Sequence, residues 1–480
     1  MEPIPWPADR LVAQLGRWSA GRGPLYLLLA ERLRQLIDSG QLPPRAALPP
    51  DRVLADHLAV GRGTVVNAYD RLRQERKLDR HQGKGTWVAP AVLAGAPPGA
   101  VPTANPMFLN YLEPLDGVLP LACTAPHGPP PELLAAYATA LAGLPGEDSG
   151  DIGYYPLGHR ALREALARRH TSRGVPTTPE QILITTGGQQ ALALIARLFI
   201  APGDTVVVQA PTYPGALEVF RDAAAVLKPV DLTTWTGALA AHRPRLAYLN
   251  PTNHNPTGAT VPSLVRRGLV EAAAAHGVRL IDDQVLAGLS FDGDEPPGLA
   301  AFGGHVLTVG SFSKVVWGGL RTGWIRADER DIAQLARVKA IHDLGSAALE
   351  QRAAAELVGQ LDELGRKRAR LLRERHDHLC AALRKSLPRW DFQEAGGGQC
   401  LWVRLPGDGS AFAQVALRHG VAVLPGSALD PTGGSDDRLR IPFTAPPDEL
   451  TEGVRRLAAA WSAYERLGTS APASVHALVV

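Results

Sequence analysis

Three stretches within residues 24–74 place apolar side chains three and four positions apart, which is the spacing of one helix face. The pattern predicts helices between Pro24 and Ser39, over 51–58 and over 62–74. The positions expected to face inward are Leu25, Leu28, Leu29, Leu33, Leu36, Ile37, Leu54, Leu58, Val65, Ala68, Tyr69 and Leu72. Because only the turn Ala59-Val60-Gly61 separates the second and third helices, we predict a helix-turn-helix.

Two strand-like segments, 77–81 and 86–89, follow these helices and are joined through Gln82-Gly83-Lys84-Gly85. The glycines permit a tight tip whose backbone can approach a phosphate closely. Residues 1–89 are therefore predicted to form a winged helix-turn-helix domain.

Residues 90–107 are rich in alanine, proline and glycine and lack both charge and apolar periodicity. This composition predicts a linker, which its prolines make semi-rigid. We place a second domain at 108–467 and expect the end of the chain, 468–480, to be mobile.

Strand-like and helix-like runs alternate through the second domain. The strand-like runs are 181–185, 205–208, 246–249, 278–281 and 306–309. Such alternation is typical of a mostly parallel sheet covered by helices on both faces, so the predicted fold class is α/β. Ligands of these sheets bind at the carboxyl ends of the strands.

Charge and cysteine usage narrow the possible functions. Residues 22–90 contain 12 Lys and Arg against 7 Asp and Glu, in a chain of net charge +3. A local basic excess fits nucleic acid, although a solvated surface is the commoner explanation of charge alone. Three scattered cysteines, and histidines without metal-ligand spacing, indicate neither a disulfide framework nor a zinc site. Without a signal peptide or a spanning run, we expect a cytoplasmic protein.

A helix start and a lysine segment are suited to a phosphorylated aldehyde. The segment Thr186-Gly187-Gly188-Gln189-Gln190 opens a predicted helix, whose free N–H groups can hold a phosphate. Lys314 supplies an amine for the aldehyde, aided by a lowered amine pKa. Ser311, Ser313 and Arg321 supply hydroxyls and a guanidinium for the phosphate.

Three further residues follow predicted strands and suit a pyridine ring. Tyr213 offers a ring for stacking, Asn255 offers an amide to a phenolic oxygen, and Asp283 offers a carboxylate to a protonated ring nitrogen. Each has an ordinary explanation when taken alone, such as a core ring or a helix cap. Their order and their placement at strand ends together predict pyridoxal 5'-phosphate as the cofactor.

The first domain resembles the winged helix-turn-helix of the GntR family. The likeness lies in Pro24-Leu25-Tyr26, in 48–52, in 60–65, in Ala68-Tyr69 and in 83–86. It implies that the residues touching DNA are Arg52, Arg62, Thr64, Gly83, Lys84 and Gly85. The family usually has serine where Pro50 and Gly61 stand, so a helix-capping hydroxyl is missing at each position, at a cost of up to ~1 kcal/mol.

Residues 108–465 resemble a fold-type I aminotransferase domain, and the two domains together resemble the MocR subgroup of GntR regulators. The resemblance implies that Lys314 carries the Schiff base, that Asp283 pairs with the ring nitrogen, that Tyr213 stacks and that Asn255 meets the ring oxygen. It assigns the phosphate to Gly188, Gln189, Ser311, Ser313 and Arg321.

Two more roles follow from the resemblance. Tyr154 would reach a phosphate in the partner subunit of a homodimer. Arg440 would bind the carboxylate of an amino acid, with Arg438 as a rival and a surface ion pair as the simpler explanation.

The sequence departs from the family at Val285 and Leu286, where a tyrosine usually hydrogen-bonds the phenolic oxygen of the cofactor. The loss of this donor predicts a site better suited to holding a ligand than to turnover. We therefore expect a regulator that binds operator DNA and senses pyridoxal phosphate, or an amine or amino acid reacting with it, through Lys314. The alternative is an active aminotransferase with an accessory N-terminal domain, and the effector and operator are left open.

Overall fold

The structure is a computed structural model and describes residues 4–20, 23–75, 77–81, 85–89, 117–126, 128–144, 150–292 and 295–469. Its N-terminal domain contains β1 (Ile4–Pro5), α1 (Ala8–Leu15), α2 (Leu25–Asp38), β2 (Ala46–Leu48), α3 (Asp51–Leu58), α4 (Arg62–Gln74), β3 (Leu78–His81) and β4 (Gly85–Val88). The strands form one sheet in the order β1-β2-β4-β3. The three predicted helices and the two wing strands begin and end within one residue of the predicted positions.

Helices α2, α3 and α4 enclose a single apolar core, as their spacing predicts. Leu33, Leu54 and Leu72, one from each helix, are fully buried. The Tyr69 hydroxyl donates a hydrogen bond to the Pro49 carbonyl at 3.0 Å, which satisfies the polar end of a ring inside this core.

Helix α1 and strand β1 were not predicted. Leu11 and Leu15 of α1 are fully buried, and Arg32 of α2 donates to the carbonyls of Gln14 and Leu15 at 3.0 and 3.2 Å. The helix follows Pro5 and Pro7, which favour extended backbone, so the local sequence does not indicate a helix start at Ala8. The helix-turn-helix thus has an additional N-terminal support.

A seven-stranded sheet forms the centre of the large domain. After β5 (Leu119–Leu121), which joins another sheet, its strands are β6 (Ile182–Thr185), β7 (Thr205–Gln209), β8 (Val226–Val230), β9 (Leu246–Leu249), β10 (Arg279–Asp283), β11 (Val306–Ser311) and β12 (Gly323–Arg326). The order is β6-β12-β11-β10-β9-β7-β8, and only β12 runs antiparallel to its neighbours. The predicted parallel sheet is confirmed, whereas β8 and β12 were missed.

Helices cover both faces of this sheet. Val206 and Val208 of β7 enter one apolar core, and Val207 enters a second core on the opposite face. The helices of the large domain are α5 (Pro131–Ala142), α6 (Arg160–Ser172), α7 (Gly188–Phe199), α8 (Pro214–Asp222), α9 (Trp235–His242), α10 (Ser263–Ala275), α11 (Glu329–His342), α12 (Ala348–Val358), α13 (Leu361–Ser386), α14 (Gly409–Arg418) and α15 (Pro447–Thr469). Within the described ranges, no helix is long and apolar enough to cross a bilayer.

A second sheet holds the C-terminal part of the domain. It consists of β13 (Asp391–Phe392), β14 (Cys400–Arg404), β15 (Val421–Pro425) and β16 (Arg438–Pro442), in the order β13-β14-β16-β15-β5. Leu401 and Leu439 are fully buried beneath α13, α14 and α15, and Arg440 of the same sheet contacts Asn255. This sheet was not predicted.

Of the proposed domain boundaries, the structure describes only the one between 467 and 468. The predicted linker, 90–107, lies outside the described residues. Helix α15 continues to Thr469, which is two residues into the segment 468–480 that we expect to be mobile.

Candidate functional site

The carboxyl ends of the parallel strands gather the predicted cofactor residues at one edge of the sheet. Asp283 is the last residue of β10, and Lys314 follows the end of β11 by three positions. Tyr213 precedes α8, directly after β7, and Asn255 lies in the loop after β9. The topology therefore brings together residues that are up to about a hundred positions apart, as expected for a ligand site of this fold.

Asp283 is buried and accepts two hydrogen bonds. Its Oδ2 accepts from the Tyr248 hydroxyl at 2.5 Å, and its Oδ1 accepts from the Val285 N–H at 3.0 Å. Burial raises the pKa of Asp283, while the two hydrogen bonds and the nearby Lys314 amine act to lower it. Tyr248 was missed in the sequence, although it is the only polar side chain of the buried strand β9.

We expect Tyr248→Phe to make retention of pyridoxal phosphate more sensitive to acid. The phenol favours the charged form of Asp283, so its removal raises the pKa of that carboxyl further, and a protonated ring nitrogen loses its counter-ion at a higher pH. The pH at which half of the cofactor is retained should rise by about one unit, equivalent to ~1.4 kcal/mol. Absorbance after gel filtration across a pH series measures this midpoint. Tyr69→Phe, which removes a buried phenol from the other domain, is the control, and equal midpoints in all three proteins would contradict the role.

The side-chain amine of Lys314 donates hydrogen bonds to Thr124. Its Nζ donates to the Thr124 carbonyl at 3.2 Å and to the Thr124 hydroxyl at 3.1 Å. Burial lowers the pKa of Lys314 to about 8. A larger fraction of this amine is therefore neutral near pH 7 than for an exposed lysine, which is the form that attacks an aldehyde.

The start of α7 lies against Arg321 through two glycines. Gly187 has a φ of +128°, and a Cβ added to it would lie 3.2 Å from the Arg321 guanidinium. A Cβ on Gly323 would lie 2.8 Å from the Gly187 Cα, so the backbones approach too closely for any side chain. Helix α7 begins at Gly188, and Gln189 follows. The helix start and the guanidinium together form a candidate anion-binding site.

Ser311 and Ser313 add two hydroxyls to this candidate anion-binding site. The hydroxyls of Ser311 and Ser313 are 3.0 Å apart, and the Ser313 N–H donates to the Ser311 hydroxyl at 3.2 Å. Arg321 adopts a left-handed conformation with φ of +48° and stays exposed. Hydroxyls, helix N–H groups and a guanidinium are the donor set that a phosphate needs.

Tyr213 is fixed against the helix start. Its hydroxyl donates to the Gln189 side-chain oxygen at 3.1 Å, and the Gln189 amide donates to the Gly215 carbonyl at 3.1 Å. A Cβ on Gly215 would lie 2.6 Å from the Tyr213 ring, so glycine allows the ring to pack on the backbone. The ring is held at the sheet edge where a planar ligand could stack on it.

Arg440 is buried beside Asn255. One terminal nitrogen donates to the Asn255 side-chain oxygen at 3.3 Å, and the other donates to the Ala122 carbonyl at 2.6 Å. Its rival Arg438 lies at the edge of β16, with its Nε 3.8 Å from the Asp437 carboxylate. The geometry therefore favours Arg440 over Arg438 for a ligand of the site.

Buried polar atoms without protein partners indicate that the site takes a polar ligand. In the part of the chain that the structure describes, Thr212 Oγ1 and Arg440 Nε are buried and make no hydrogen bond. Burial lowers the pKa of His254 to about 4, so its ring is neutral at pH 7. Leaving such atoms unpaired costs about 1–3 kcal/mol each, which a ligand with oxygen atoms would recover. The donor set, the lysine and the buried carboxylate fit pyridoxal phosphate.

The remaining sequence predictions fall at other places. Tyr154 is 62% exposed. Val285 lies against the Gly188 backbone, and Leu286 is buried in the core of the C-terminal sheet. Neither of these apolar side chains can donate the hydrogen bond of the missing tyrosine.

The helix-turn-helix and the wing meet at Asp51, beside the predicted DNA-contacting residue Arg62. Arg52 and Arg62 are exposed, and Arg62 donates to the Asp51 carboxylate at 2.9 Å. Arg80 of β3 approaches the same carboxylate at 3.4 Å, which joins the wing to the helix-turn-helix. Arg80 was not predicted, because its distance in sequence from Asp51 hides the contact.

Thr64 and Gly85, which are also predicted to contact DNA, lie within the described residues. Thr64 is half-buried in the first turn of α4, and Gly85 begins β4 with a φ of +97° and open space around it. Gly83 and Lys84 lie outside the described residues. Pro50 and Gly61 are the residues before α3 and α4, and neither makes a side-chain capping bond, as predicted.

This fold defines an aminotransferase-like protein joined to a DNA-binding module. A lysine, an aspartate and a candidate anion-binding site lie together at one edge of its sheet. Two family comparisons agree with both parts. Residues 126–457 match the aminotransferase class I and II family, and residues 25–88 match the gntR family of bacterial regulatory proteins. The chain belongs to the aminotransferase class I and II family and carries a GntR domain at its N-terminal end.

Relatives with both parts span most of the chain. An uncharacterised HTH-type transcriptional regulator of Bacillus subtilis, YisV, is 29% identical over 92% of this chain and 98% of its own. The probable rhizopine catabolism regulatory protein MocR of Rhizobium meliloti is 27% identical over 93% of this chain and 95% of its own. The predicted MocR-type arrangement is therefore confirmed.

A solved structure matches the large domain. LysN, an alpha-aminoadipate aminotransferase from Thermus thermophilus, superimposes with a TM-score of 0.67 at 29% identity, covering 74% of this chain and 94% of its own. That structure contains N-(5'-phosphopyridoxyl)-L-leucine. The fold predicted from the sequence is confirmed, and the ligand in this neighbour carries the phosphopyridoxyl group of the predicted cofactor.

Proposed function

We propose that the protein is a transcriptional regulator that responds to pyridoxal phosphate, or to an amine or amino acid that reacts with it. One observation carries the proposal: a winged helix-turn-helix with exposed arginines and a site fitted to pyridoxal phosphate occur in the same chain. Full-length relatives of this arrangement carry the names of transcriptional regulators. DNA binding and ligand sensing are therefore assigned to separate domains.

The residues of the site divide the work of holding the cofactor. Lys314 would be joined to its aldehyde carbon, Asp283 would face the ring nitrogen, Tyr213 would stack on the ring and Asn255 would meet the phenolic oxygen. When bound, pyridoxal phosphate supplies an electrophilic carbon for amines and a ring that withdraws electrons. The phosphate would bind Gly188, Gln189, Ser311, Ser313 and Arg321.

Arg440 is the residue that we assign to the carboxylate of an amino-acid effector. Arg440→Ala is expected to weaken the spectral response of the loaded protein to amino acids by about 10- to 100-fold, since a charge-assisted hydrogen bond contributes ~1.5–3 kcal/mol. The response to an amine without a carboxylate should not change. Arg438→Ala is the matched control from the same strand. If both variants respond to amino acids like the wild type, Arg440 does not bind the carboxylate.

We propose a homodimer in which Tyr154 of each subunit serves the site of the other. Ile152, Tyr154, Ile341 and Leu344 are 79%, 62%, 85% and 57% exposed, which leaves a group of large apolar side chains in water. Gly345 packs against the Tyr155 backbone, so the two segments are neighbours. A second copy covering this group would remove apolar area from water and place Tyr154 in an interface.

Two subunits would present two winged domains to DNA. Binding should then need two half-sites and should weaken steeply with salt, because arginines at the interface release counterions from phosphates. Since its target is DNA, we place the protein in the cytoplasm.

A DNA mobility-shift titration tests the proposed function. A duplex is selected by the loaded wild type from a random-sequence pool, and its affinity is measured with and without pyridoxal phosphate. We expect a change of at least about fivefold, the lower range of allosteric coupling. Equal affinities, with the cofactor bound, would contradict sensing of the cofactor itself and leave amines and amino acids as effectors to be titrated in the same assay.

An active aminotransferase is the second candidate, because Lys314, Asp283 and Arg440 are all present at one edge. Mixing the loaded protein with amino acids and a keto acid distinguishes the two. Sustained conversion at ~1 per second or more is an ordinary enzyme rate and would favour this candidate. We expect slower conversion, because Val285 and Leu286 offer no hydroxyl at the site.

A further inference from the structure

Arg418, the last residue of α14, connects the large domain to the helix-turn-helix. One terminal nitrogen donates to the Ala59 carbonyl at 2.7 Å, and the other donates to the Leu58 carbonyl at 3.3 Å. Leu58 ends α3, and Ala59 begins the turn that leads to α4. Ala59 also packs against the apolar core of the C-terminal sheet. The large domain therefore holds the turn on which the DNA-reading helix depends.

The electrostatics of this contact are specific to a helix end. The last carbonyls of α3 have no partners within the helix and lie at its negative end, where a cation binds favourably. Ala59, the residue that follows α3, adopts a left-handed conformation with φ of +49°. Burial lowers the pKa of Arg418 to about 10. For the described residues, no carboxylate forms an ion pair with Arg418, so the two carbonyls are its only hydrogen-bond acceptors.

A contact of this kind is suited to reversible docking. Removing a guanidinium from water without an acidic partner is unfavourable, and two charge-assisted hydrogen bonds offset that loss. When the turn moves away, water can solvate the guanidinium again. A ligand that shifts α14 would therefore change the balance between docked and released arrangements.

Helix α14 is also connected to the cofactor edge. Strand β15 begins three residues after Arg418, and its Leu424 pairs with Arg440 of β16. The loop after β15 reaches the cofactor edge, where the Thr212 N–H donates to the Leu429 carbonyl at 2.9 Å. One continuous unit, α14 with β15 and β16, thus contacts the helix-turn-helix at one end and the ligand residues at the other.

We propose that Arg418 is the docking residue through which the large domain sets the orientation of the winged domain, and that ligands act on DNA binding through the α14–β15–β16 unit. Arg62, whose side chain is 68% exposed, keeps its access to DNA in the docked arrangement. Docking therefore orients the DNA-binding surface and does not cover it. The coupling to ligands rests on the proposed function, whereas the docking itself does not.

Hydrogen exchange of the full-length protein loaded with pyridoxal phosphate tests the docking. In Arg418→Ala, the backbone amides of 51–65 and 409–418 should exchange at least about fivefold faster, because loss of the contact opens both segments. Arg455→Ala, which removes an exposed arginine of α15 paired with Glu452, is the matched control and should not change these segments. Arg418→Lys keeps the charge but not the fork, and should give an intermediate rate. Wild-type exchange rates in Arg418→Ala would overturn the docking.

The DNA titration described above tests the coupling. The wild type should bind the duplex with different affinities in the presence and absence of pyridoxal phosphate. In Arg418→Ala, the ratio of these two affinities should lie within about twofold of one. A wild-type ratio in the variant, with faster exchange, would overturn the coupling role. If the wild type itself shows no ratio with the cofactor or with titrated amino acids, the proposed function fails, while the exchange result still decides the docking. Should Arg418→Ala not fold, Arg418→Lys decides both questions.

Discussion

Lys314→Ala is expected to abolish the visible absorbance that the protein acquires with pyridoxal phosphate. The alanine has no amine for the aldehyde, and only the phosphate and ring contacts remain. Retention through gel filtration should fall by at least about a hundredfold, equivalent to ~2.8 kcal/mol. The measurement is the absorption spectrum of the protein fraction after removal of free cofactor.

Lys367→Ala provides the control for this experiment. Lys367 is an exposed lysine of α13 whose amine pairs with Glu132 at 2.8 Å. Its variant should bind the cofactor like the wild type. A yellow Lys314→Ala protein would show that another amine holds the aldehyde.

The second large effect is expected for Arg62→Ala on DNA binding. The Arg62 side chain is 68% exposed and is oriented by Asp51, which also holds Arg80 of the wing. Loss of one specific arginine contact should weaken binding of the selected duplex by about 10- to 100-fold, equivalent to ~1–3 kcal/mol. If Arg62 binds a phosphate, the slope of log affinity against log salt should also fall by about one.

Arg330→Ala is the control for the DNA experiment, since Arg330 is an exposed arginine of α11 in the large domain. It should leave both the affinity and the salt dependence unchanged. An Arg62→Ala protein that binds the duplex like the wild type would remove the helix-turn-helix surface from the account.

The local elements of the winged domain could be predicted closely because their periods are complete. Helix α4 presents Val65, Ala68, Tyr69 and Leu72 on one face, and its observed limits, Arg62–Gln74, are those predicted. The strands of the large sheet could be predicted because parallel strands buried on both faces are continuous apolar runs. Residues that follow such strands in sequence, Asp283 among them, were thereby placed at one edge.

Contacts between distant parts of the chain could not be predicted in the same way. Tyr248 and Asp283 lie on neighbouring strands, and nothing local in either segment indicates the hydrogen bond between them. The strand Arg438–Pro442 alternates charged and apolar residues over only five positions, which is too short a signal to establish a sheet. Arg418 is an unremarkable arginine at a helix end until the fold brings Ala59 to it.

The central claim is that one lysine of the large domain holds the cofactor. Borohydride reduction of the wild-type protein loaded with pyridoxal phosphate, followed by protease digestion and mass spectrometry, tests it most directly. We expect a single phosphopyridoxyl group on the peptide that contains Lys314. Recovery of that peptide unmodified, or of the group on another lysine, would contradict it.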